Sequence, residues 1–162
     1  MKKTTVVVLG AAALLLVGMI ALAAGNNKDL NALEELQGKE GVVYTSFACG
    51  CCDIHADYTK RNTGMNIDVR QTDPYSLDKQ KEELGIPSSV RTCHTTIIGD
   101  YFVEGHIPME AINKLLAEKP DIKGIAMPGM PSGSPGMPGR KTEDFVILAV
   151  NNDGTTYEFM RI

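Results

Sequence analysis

The residues of this chain best suited to chemistry are its four cysteines. Three stand in the run Cys49-Gly50-Cys51-Cys52, and the fourth opens the pair Cys93-His94. The run follows a strand-like apolar segment and precedes a helical pattern, so we expect its thiols at a helix N-terminus, where the helix dipole lowers thiol pKa values. Low-pKa thiols attack disulfides or bind soft metals. Three thiols within four residues exceed what a dithiol redox pair requires, which favours a thiophilic ion such as Cu(I).

Two structural disulfides are the ordinary alternative for four cysteines in an oxidising compartment. Neighbouring Cys51 and Cys52 point in different directions and rarely bridge each other. A Cys49–Cys52 bridge is feasible, as in redox C-x-x-C sites. Cys93 can bridge to Cys51 only if the fold brings the two together, so the sequence leaves the pairing open.

The N-terminus predicts export. Lys2 and Lys3 precede an apolar run, residues 6–24, that ends in small residues, which is typical of a signal peptide and its cleavage site. The run is also just long enough to span a bilayer. We therefore expect residues 1–24 to be a signal peptide or an N-terminal membrane anchor. The remainder is expected in the periplasm or another extracytoplasmic compartment, with membrane contact only through this segment.

Residues 25–162 are predicted to form one domain. Removing 24 residues from 162 leaves 138, a length that suits a single core. Because only two lysines are removed, 14 Lys and Arg remain against 20 Asp and Glu, a net charge of −6. No basic run or stripe is present, so nucleic acid is not an expected partner.

The elements that must position the cysteines follow the order strand, helix, strand, helix, strand, strand, helix, with a further hairpin at the end. Strands are predicted at residues 42–45, 65–69, 95–98, 101–104, 145–150 and 156–161, and helices at 30–36, 51–62, 77–84 and 108–119. Ser76 is the expected N-cap of the helix at 77–84. A βαβ unit followed by a β-hairpin and a helix is the thioredoxin-like α/β fold, here with an extra C-terminal β-hairpin.

This fold brings the two cysteine segments together. The cluster falls where thioredoxins and glutaredoxins carry C-x-x-C, and Cys93-His94-Thr95 falls where they carry a cis-proline loop beside it. Cys93 is then expected close to Cys49 and Cys52. In disulfide exchangers, this loop positions the substrate. Since the proline is absent here, we interpret the segment that contains Cys93 and His94 as a donor of metal ligands.

Five segments in order resemble the CopG-like family of exported copper-resistance proteins, also described as a metal-binding domain of unknown function. They are VYTSFACGCC (43–52), GIP (85–87), CHT (93–95), EGHIP (104–108) and GMPSGSPGM (129–137). The resemblance covers about residues 40–162. It implies a thioredoxin-like fold, copper binding at the Cys-x-Cys-Cys turn, and a part in copper tolerance. It suggests Cys49, Cys51, Cys52 and Cys93 as the metal-facing residues.

Coordination chemistry supports copper independently of this resemblance. Thiolates prefer Cu(I), and four converging thiolates with an adjacent pair suit a small, multinuclear Cu(I)–thiolate cluster. Zinc is the alternative ion, but structural zinc sites usually pair C-x-x-C knuckles and only one such spacing exists here.

Histidines and methionines are the further candidate ligands. His55 lies one helical turn after the cysteine cluster, where an exposed polar role is the alternative to ligation. His94 is expected at the site rim, and His106 at a strand-to-helix corner that it could fix by local hydrogen bonding. The Met/Pro/Gly-rich loop at residues 126–140 carries Met127, Met130 and Met137, whose thioethers are soft Cu(I) ligands. We expect these methionines to act in copper access and not in holding the fold. The alternatives are a loop that packs over the site as a lid and a flexible linker to the last hairpin.

Two function classes follow. One is a copper-binding protein that sequesters, transfers or redox-cycles copper, with copper ions and other exported copper-handling proteins as partners. The other is an enzyme, a thiol–disulfide oxidoreductase using Cys49 and Cys52. An arsenate-reductase-like enzyme is disfavoured, because Arg91 is the only nearby candidate for anion binding.

Overall fold

The computed structural model describes residue 34, residues 36–47 and residues 49–162. The segment predicted as signal peptide or anchor lies outside these ranges, as does most of the helix predicted at residues 30–36. Within the described residues, no helix is both long and apolar enough to cross a membrane.

A single seven-stranded sheet organises the described chain, in the strand order β2-β1-β3-β4-β5-β6-β7. The strands are β1 (Glu40–Ser46), β2 (Asn66–Thr72), β3 (His94–Ile98), β4 (Tyr101–Glu104), β5 (Gly124–Ala126), β6 (Val146–Val150) and β7 (Thr156–Arg161). The helices are α1 (Gly50–Thr63), α2 (Pro74–Glu83) and α3 (Met109–Glu118), with a short 3-10 turn at Ser88–Val90.

The predicted fold class is confirmed. β1, α1 and β2 form a βαβ unit with parallel strands, and β3 pairs antiparallel with β1 on its other side. The hairpin β3–β4 and α3 complete the thioredoxin-like arrangement. The extra hairpin β6–β7 is present and joins the same sheet through β5. Sequence reasoning missed β5 because it has only three residues, too few for a periodic pattern.

The predicted N-cap of α2 is wrong. α2 begins at Pro74, and the side chain of Asp73 accepts hydrogen bonds from the backbone N–H groups of Tyr75 and Ser76. An Asp cap followed by Pro in the first turn is a stronger start signal than a serine further along. The start of α2 therefore lies three residues earlier than predicted.

Met127 belongs to the apolar core, contrary to the expectation that the loop methionines do not hold the fold. Its side chain is 1% exposed and packs in a cluster with Val103, Ile112 and Leu115. Its backbone N–H donates to Glu104, which extends the pairing of β4 and β5 by one step. Met130, by contrast, is 39% exposed. The two methionines therefore have different physical roles.

We predict that Met127→Ala lowers the free energy of unfolding by roughly 2–5 kcal/mol, because a buried methionine leaves a cavity. Met127→Leu, which keeps apolar volume, should cost less than about 1.5 kcal/mol. Met130→Ala is the control and should stay within about 0.5 kcal/mol of the parent. Denaturant unfolding measures all three. Equal effects of the two alanine variants would contradict the assignment of Met127 to the core.

Candidate metal centre

The cysteine cluster lies at the junction of β1 and α1. Cys49 is the N-cap of α1, and its carbonyl accepts the backbone N–H groups of Cys52 and Asp53. Cys52 is fully buried, while Cys49 and Cys51 are half-buried. The prediction that these thiols start a helix is confirmed.

Strand pairing brings the distant cysteine to the cluster. β1 and β3 are antiparallel, with Thr45 opposite His94. Cys93 therefore emerges beside the turn that follows β1. The sulfurs of Cys49, Cys51, Cys52 and Cys93 all lie within 4.8 Å of one another. The predicted convergence of the four sulfurs is confirmed, and their role as metal ligands stays a prediction.

Two of the cysteines are joined. Cys49 and Cys52 form a disulfide, the feasible pairing noted from the sequence, with their Cα atoms 5.3 Å apart. Cys51 and Cys93 are free thiols. Cys51 Sγ lies 3.6 Å from Cys49 Sγ. The site therefore appears in a form with one dithiol oxidised and two thiols still available.

Three histidines form a fully buried cluster next to the sulfurs. His55, His94 and His106 are each 0% exposed, so the expectations of an exposed His55 and a rim position for His94 are wrong. Their ring centroids lie 4.7 Å apart for His55–His94 and His94–His106, and 5.3 Å apart for His55–His106. Helical spacing placed His55 on the face of α1 that carries Cys52, and that face is turned into the core.

Hydrogen bonds determine the tautomers of His55 and His94. His55 Nε2 donates to the Ile107 carbonyl at 3.2 Å, because a carbonyl can only accept. Its Nδ1 is then an acceptor and takes the Nε2–H of His94 at 3.1 Å. His94 Nδ1 is left without a proton, and it lies 3.4 Å from Cys93 Sγ. His55 thus uses both ring nitrogens within the protein and orients His94.

His106 also faces the sulfur of Cys93. His106 Nδ1 donates to the Pro135 carbonyl at 2.7 Å, so its Nε2 carries the lone pair. This Nε2 lies 3.6 Å from Cys93 Sγ. The candidate ligand atoms of Cys93, His94 and His106 lie within 4.8 Å of one another. Two unprotonated imidazole nitrogens therefore face one thiol. His94 is oriented by His55 and His106 by the Pro135 carbonyl, which is how partners behind a metal-binding histidine typically orient it.

Burial keeps these groups uncharged. Desolvation lowers the pKa of His55 to about 4, against the smaller opposing effect of the Ile107 carbonyl. It also lowers the pKa of His94 well below its ordinary value, and that of His106 to a lesser extent. Desolvation, with the neighbouring Cys51 adding to it, raises the pKa of Cys93 to about 11. The neutral imidazoles are ready to ligate, whereas the Cys93 thiol must give up a proton first.

The Met/Pro/Gly-rich loop covers the site with its backbone. Pro135 supplies the carbonyl for His106. A Cβ at Gly136 would lie 2.9 Å from the Cys51 carbonyl oxygen and 3.2 Å from His106 Nδ1, so only glycine fits there. Sequence reasoning singled out the methionines of this loop and missed Pro135 and Gly136. Met130 lies at the surface with φ of 48°, and its copper role stays a prediction.

Comparisons with known proteins agree with this geometry. Residues 90–137 match a family model described as "Protein of unknown function, DUF411", a span that holds Cys93, His94, His106 and the methionines of the loop. Two solved structures are similar over 78% of this chain at 31% identity and a TM-score of 0.66. They are two forms of the copper resistance protein copG, covered over 98% and 99% of their lengths. Among curated proteins, no sequence matches this chain.

We predict that Gly136→Ala disturbs the loop more than Gly129→Ala does. Both glycines have φ of 87°, so the backbone strain of an alanine, about 1–2 kcal/mol, is common to both variants. A Cβ at Gly129 meets nothing within 4 Å, whereas one at Gly136 meets the Cys51 carbonyl. In NMR spectra, the His106 Nδ1–H signal should lose its protection from exchange only in Gly136→Ala. Equal spectra for the two variants would show that the close approach is unimportant.

We also predict that the metal-free protein loses stability as the pH falls from 6.5 towards 4. Unfolded histidines bind protons near pH 6.5, while burial lowers the pKa of His55 to about 4, so the unfolded state binds more protons in this window. Each histidine that titrates only on unfolding contributes roughly 1.4 kcal/mol per pH unit. Unfolding free energies for the parent and His55→Gln check this. The variant should show a shallower slope, and an unchanged slope would contradict the burial of a neutral His55.

Proposed function

This chain belongs to the family of the copper resistance protein copG, and on that premise we propose that it is an extracytoplasmic copper-binding protein with a part in copper handling and resistance. One observation carries the proposal: the four cysteine sulfurs lie within 4.8 Å of one another at the start of α1. Thiolates select soft ions, and Cu(I) is the soft ion that accepts low coordination numbers. The N-terminal apolar segment supports a location outside the cytoplasm.

Cys93 is the residue that would join the cysteine ligands of the centre to its histidine ligands. It belongs both to the group of four sulfurs and to the group formed with His94 and His106. Copper bound here would have both sulfur and imidazole ligands within reach. A thiol reductant that supplies two electrons and two protons would first convert the Cys49–Cys52 disulfide to two thiols. We propose that Cys49, Cys51, Cys52, Cys93, His94 and His106 would then hold a multinuclear Cu(I) centre, with Met130 in copper access.

His55 has a supporting part in this proposal. Its two ring nitrogens contact the Ile107 carbonyl and His94. It fixes the tautomer in which His94 Nδ1 is unprotonated and faces Cys93. Residues that orient a ligand in this way typically change metal affinity when they are replaced, without being ligands themselves.

Copper binding would compete with protons at Cys93. Burial raises the pKa of this thiol to about 11, so it carries a proton at neutral pH in the metal-free protein. Ligation displaces that proton, and the apparent affinity for copper should therefore rise with pH. The lowered pKa values of the histidines mean that they add no proton release above pH 7.

The Cys49–Cys52 disulfide favours a second candidate, a redox role. Oxidation of these two thiols to the disulfide releases two electrons and two protons. Two electrons reduce two Cu(II) ions to Cu(I), so the same cysteines could couple thiol oxidation to copper reduction. In the absence of copper, the pair could exchange with a client disulfide as a thiol–disulfide oxidoreductase.

Metal analysis and thiol counting on one sample of the exported protein separate these functions. The copper-binding function predicts bound copper together with thiols that a thiol reagent does not reach until the copper is removed. A metal-free protein that keeps the disulfide and exchanges it with a client protein would contradict copper binding and support the oxidoreductase.

We predict a ranking of variants in copper stoichiometry under reducing conditions. Cys93→Ser should lose the most copper, because it removes a sulfur from both groups of ligands. Cys51→Ser should follow, and His55→Gln should keep the stoichiometry but bind copper roughly 10- to 100-fold more weakly. Copper analysis after gel filtration, with circular dichroism as the folding control, measures the ranking. Equal copper content in Cys93→Ser and the parent would contradict the shared-ligand assignment.

A further inference from the structure

A buried ion pair lies directly behind the segment that carries Cys93. The side chains of Lys81 and Glu104 are 3% and 0% exposed, and Lys81 Nζ lies 2.5 Å from Glu104 Oε1. Lys81 belongs to α2, and Glu104 is the last residue of β4. Sequence reasoning assigned neither residue a role. A carboxylate and an ammonium group are costly to bury, even as a pair. The hydrogen bonds that they make with neighbouring residues therefore indicate the role of the pair.

The pair binds the chain on both sides of Cys93-His94. Glu104 Oε1 accepts the backbone N–H of Thr92 at 2.5 Å and its hydroxyl at 3.1 Å. Lys81 Nζ donates to the Thr92 carbonyl at 3.0 Å. On the far side, the Thr95 hydroxyl donates to Glu104 Oε2.

The backbone N–H, the hydroxyl and the carbonyl of Thr92 therefore all form hydrogen bonds with this ion pair. The second carboxylate oxygen of Glu104 accepts from Thr95. Between these two threonines stand only Cys93 and His94. A neutral side chain in the place of Glu104 could not accept from this many donors with the same strength, since hydrogen bonds to charged groups are the stronger ones.

We propose that the Lys81–Glu104 ion pair is the positioning device of the metal centre, which holds Cys93 and His94 at the place where related folds use a proline loop. The ion pair touches neither the sulfur nor the imidazole. It fixes the backbone on both sides of them, so that Cys93 Sγ faces the other sulfurs and His94 Nδ1 faces Cys93. The proposal rests on the proposed function only in treating these two residues as ligands.

A cavity beside Cys93 allows its position to be followed by the rate at which a reagent labels its sulfur. A cavity of about 190 Å³ is lined by Cys93, Thr92 and Lys81 together with Ser46 and residues of α2. A small alkylating reagent can therefore approach this sulfur from solvent. In the disulfide form Cys51 and Cys93 are the free thiols, and Cys51 serves as the internal reference for the labelling rate.

Two adjacent threonines of β3 provide a matched pair of variants. Thr95 and Thr96 are 0% and 1% exposed. The Thr95 hydroxyl binds Glu104, whereas the Thr96 hydroxyl has no hydrogen-bond partner among the described residues. Thr95→Val and Thr96→Val remove the same atom from the same strand, and only the first weakens the positioning network. Glu104→Gln removes the carboxylate itself.

The test measures iodoacetamide labelling of Cys93 relative to Cys51 in the metal-free protein, and then the transfer of bound Cu(I) to a chelator. Thr95→Val should raise the labelling ratio about threefold or more, the effect of losing one hydrogen bond. Glu104→Gln should raise it further and weaken Cu(I) retention by roughly 10- to 100-fold. Thr96→Val should change neither quantity.

Several results would overturn the proposal. One is an unchanged labelling ratio in a folded Glu104→Gln. If that variant does not fold, equal ratios in Thr95→Val and Thr96→Val overturn it instead. A parent protein that binds no Cu(I) refutes the proposed function and not the positioning role, because the labelling ratio is measured without metal. Loss of copper in Glu104→Gln with unchanged labelling would also contradict positioning.

Discussion

The antiparallel pairing of β1 with β3 is the interaction on which the rest of the site depends. It places Thr45 opposite His94 and so brings Cys93 beside the turn that carries the other three cysteines. The alternating burial of side chains along β1 specifies this register, and a slip by one residue would turn His94 to the other face of the sheet. The cluster of four sulfurs depends on this register, as does the contact of His94 with His55 of α1.

Around that pairing, two kinds of candidate ligand face one sulfur. The other cysteine sulfurs lie near Cys93 at the start of α1, and unprotonated imidazole nitrogens face it from the core. The carbonyls of Ile107 and Pro135 determine which nitrogens carry protons. The loop that supplies Pro135 also closes over Cys51 through Gly136. The same loop therefore fixes the tautomer of His106 and packs against the backbone of Cys51.

Apart from the three-residue β5, the order of elements and the meeting of the four cysteines could be predicted, because strand and helix periodicity is local and the thioredoxin-like order allows few arrangements. Features that depend on contacts distant in sequence could not. The burial of His55 depends on which face of α1 the sheet covers. The tautomers depend on carbonyls far away in sequence, as in the contact of His106 with Pro135. Met127 looks like its loop neighbours in sequence, but it directly continues β5 into the core.

X-ray absorption of the Cu(I)-loaded protein, compared between the parent and Cys93→Ser, shows whether a copper centre is joined at Cys93. We expect a copper environment dominated by sulfur with a smaller nitrogen contribution. In Cys93→Ser both contributions per chain should fall, because this sulfur is shared by the cysteine and histidine groups. A parent spectrum with nitrogen and oxygen ligands only, or a sulfur contribution unchanged in the variant, would contradict a copper centre joined at Cys93.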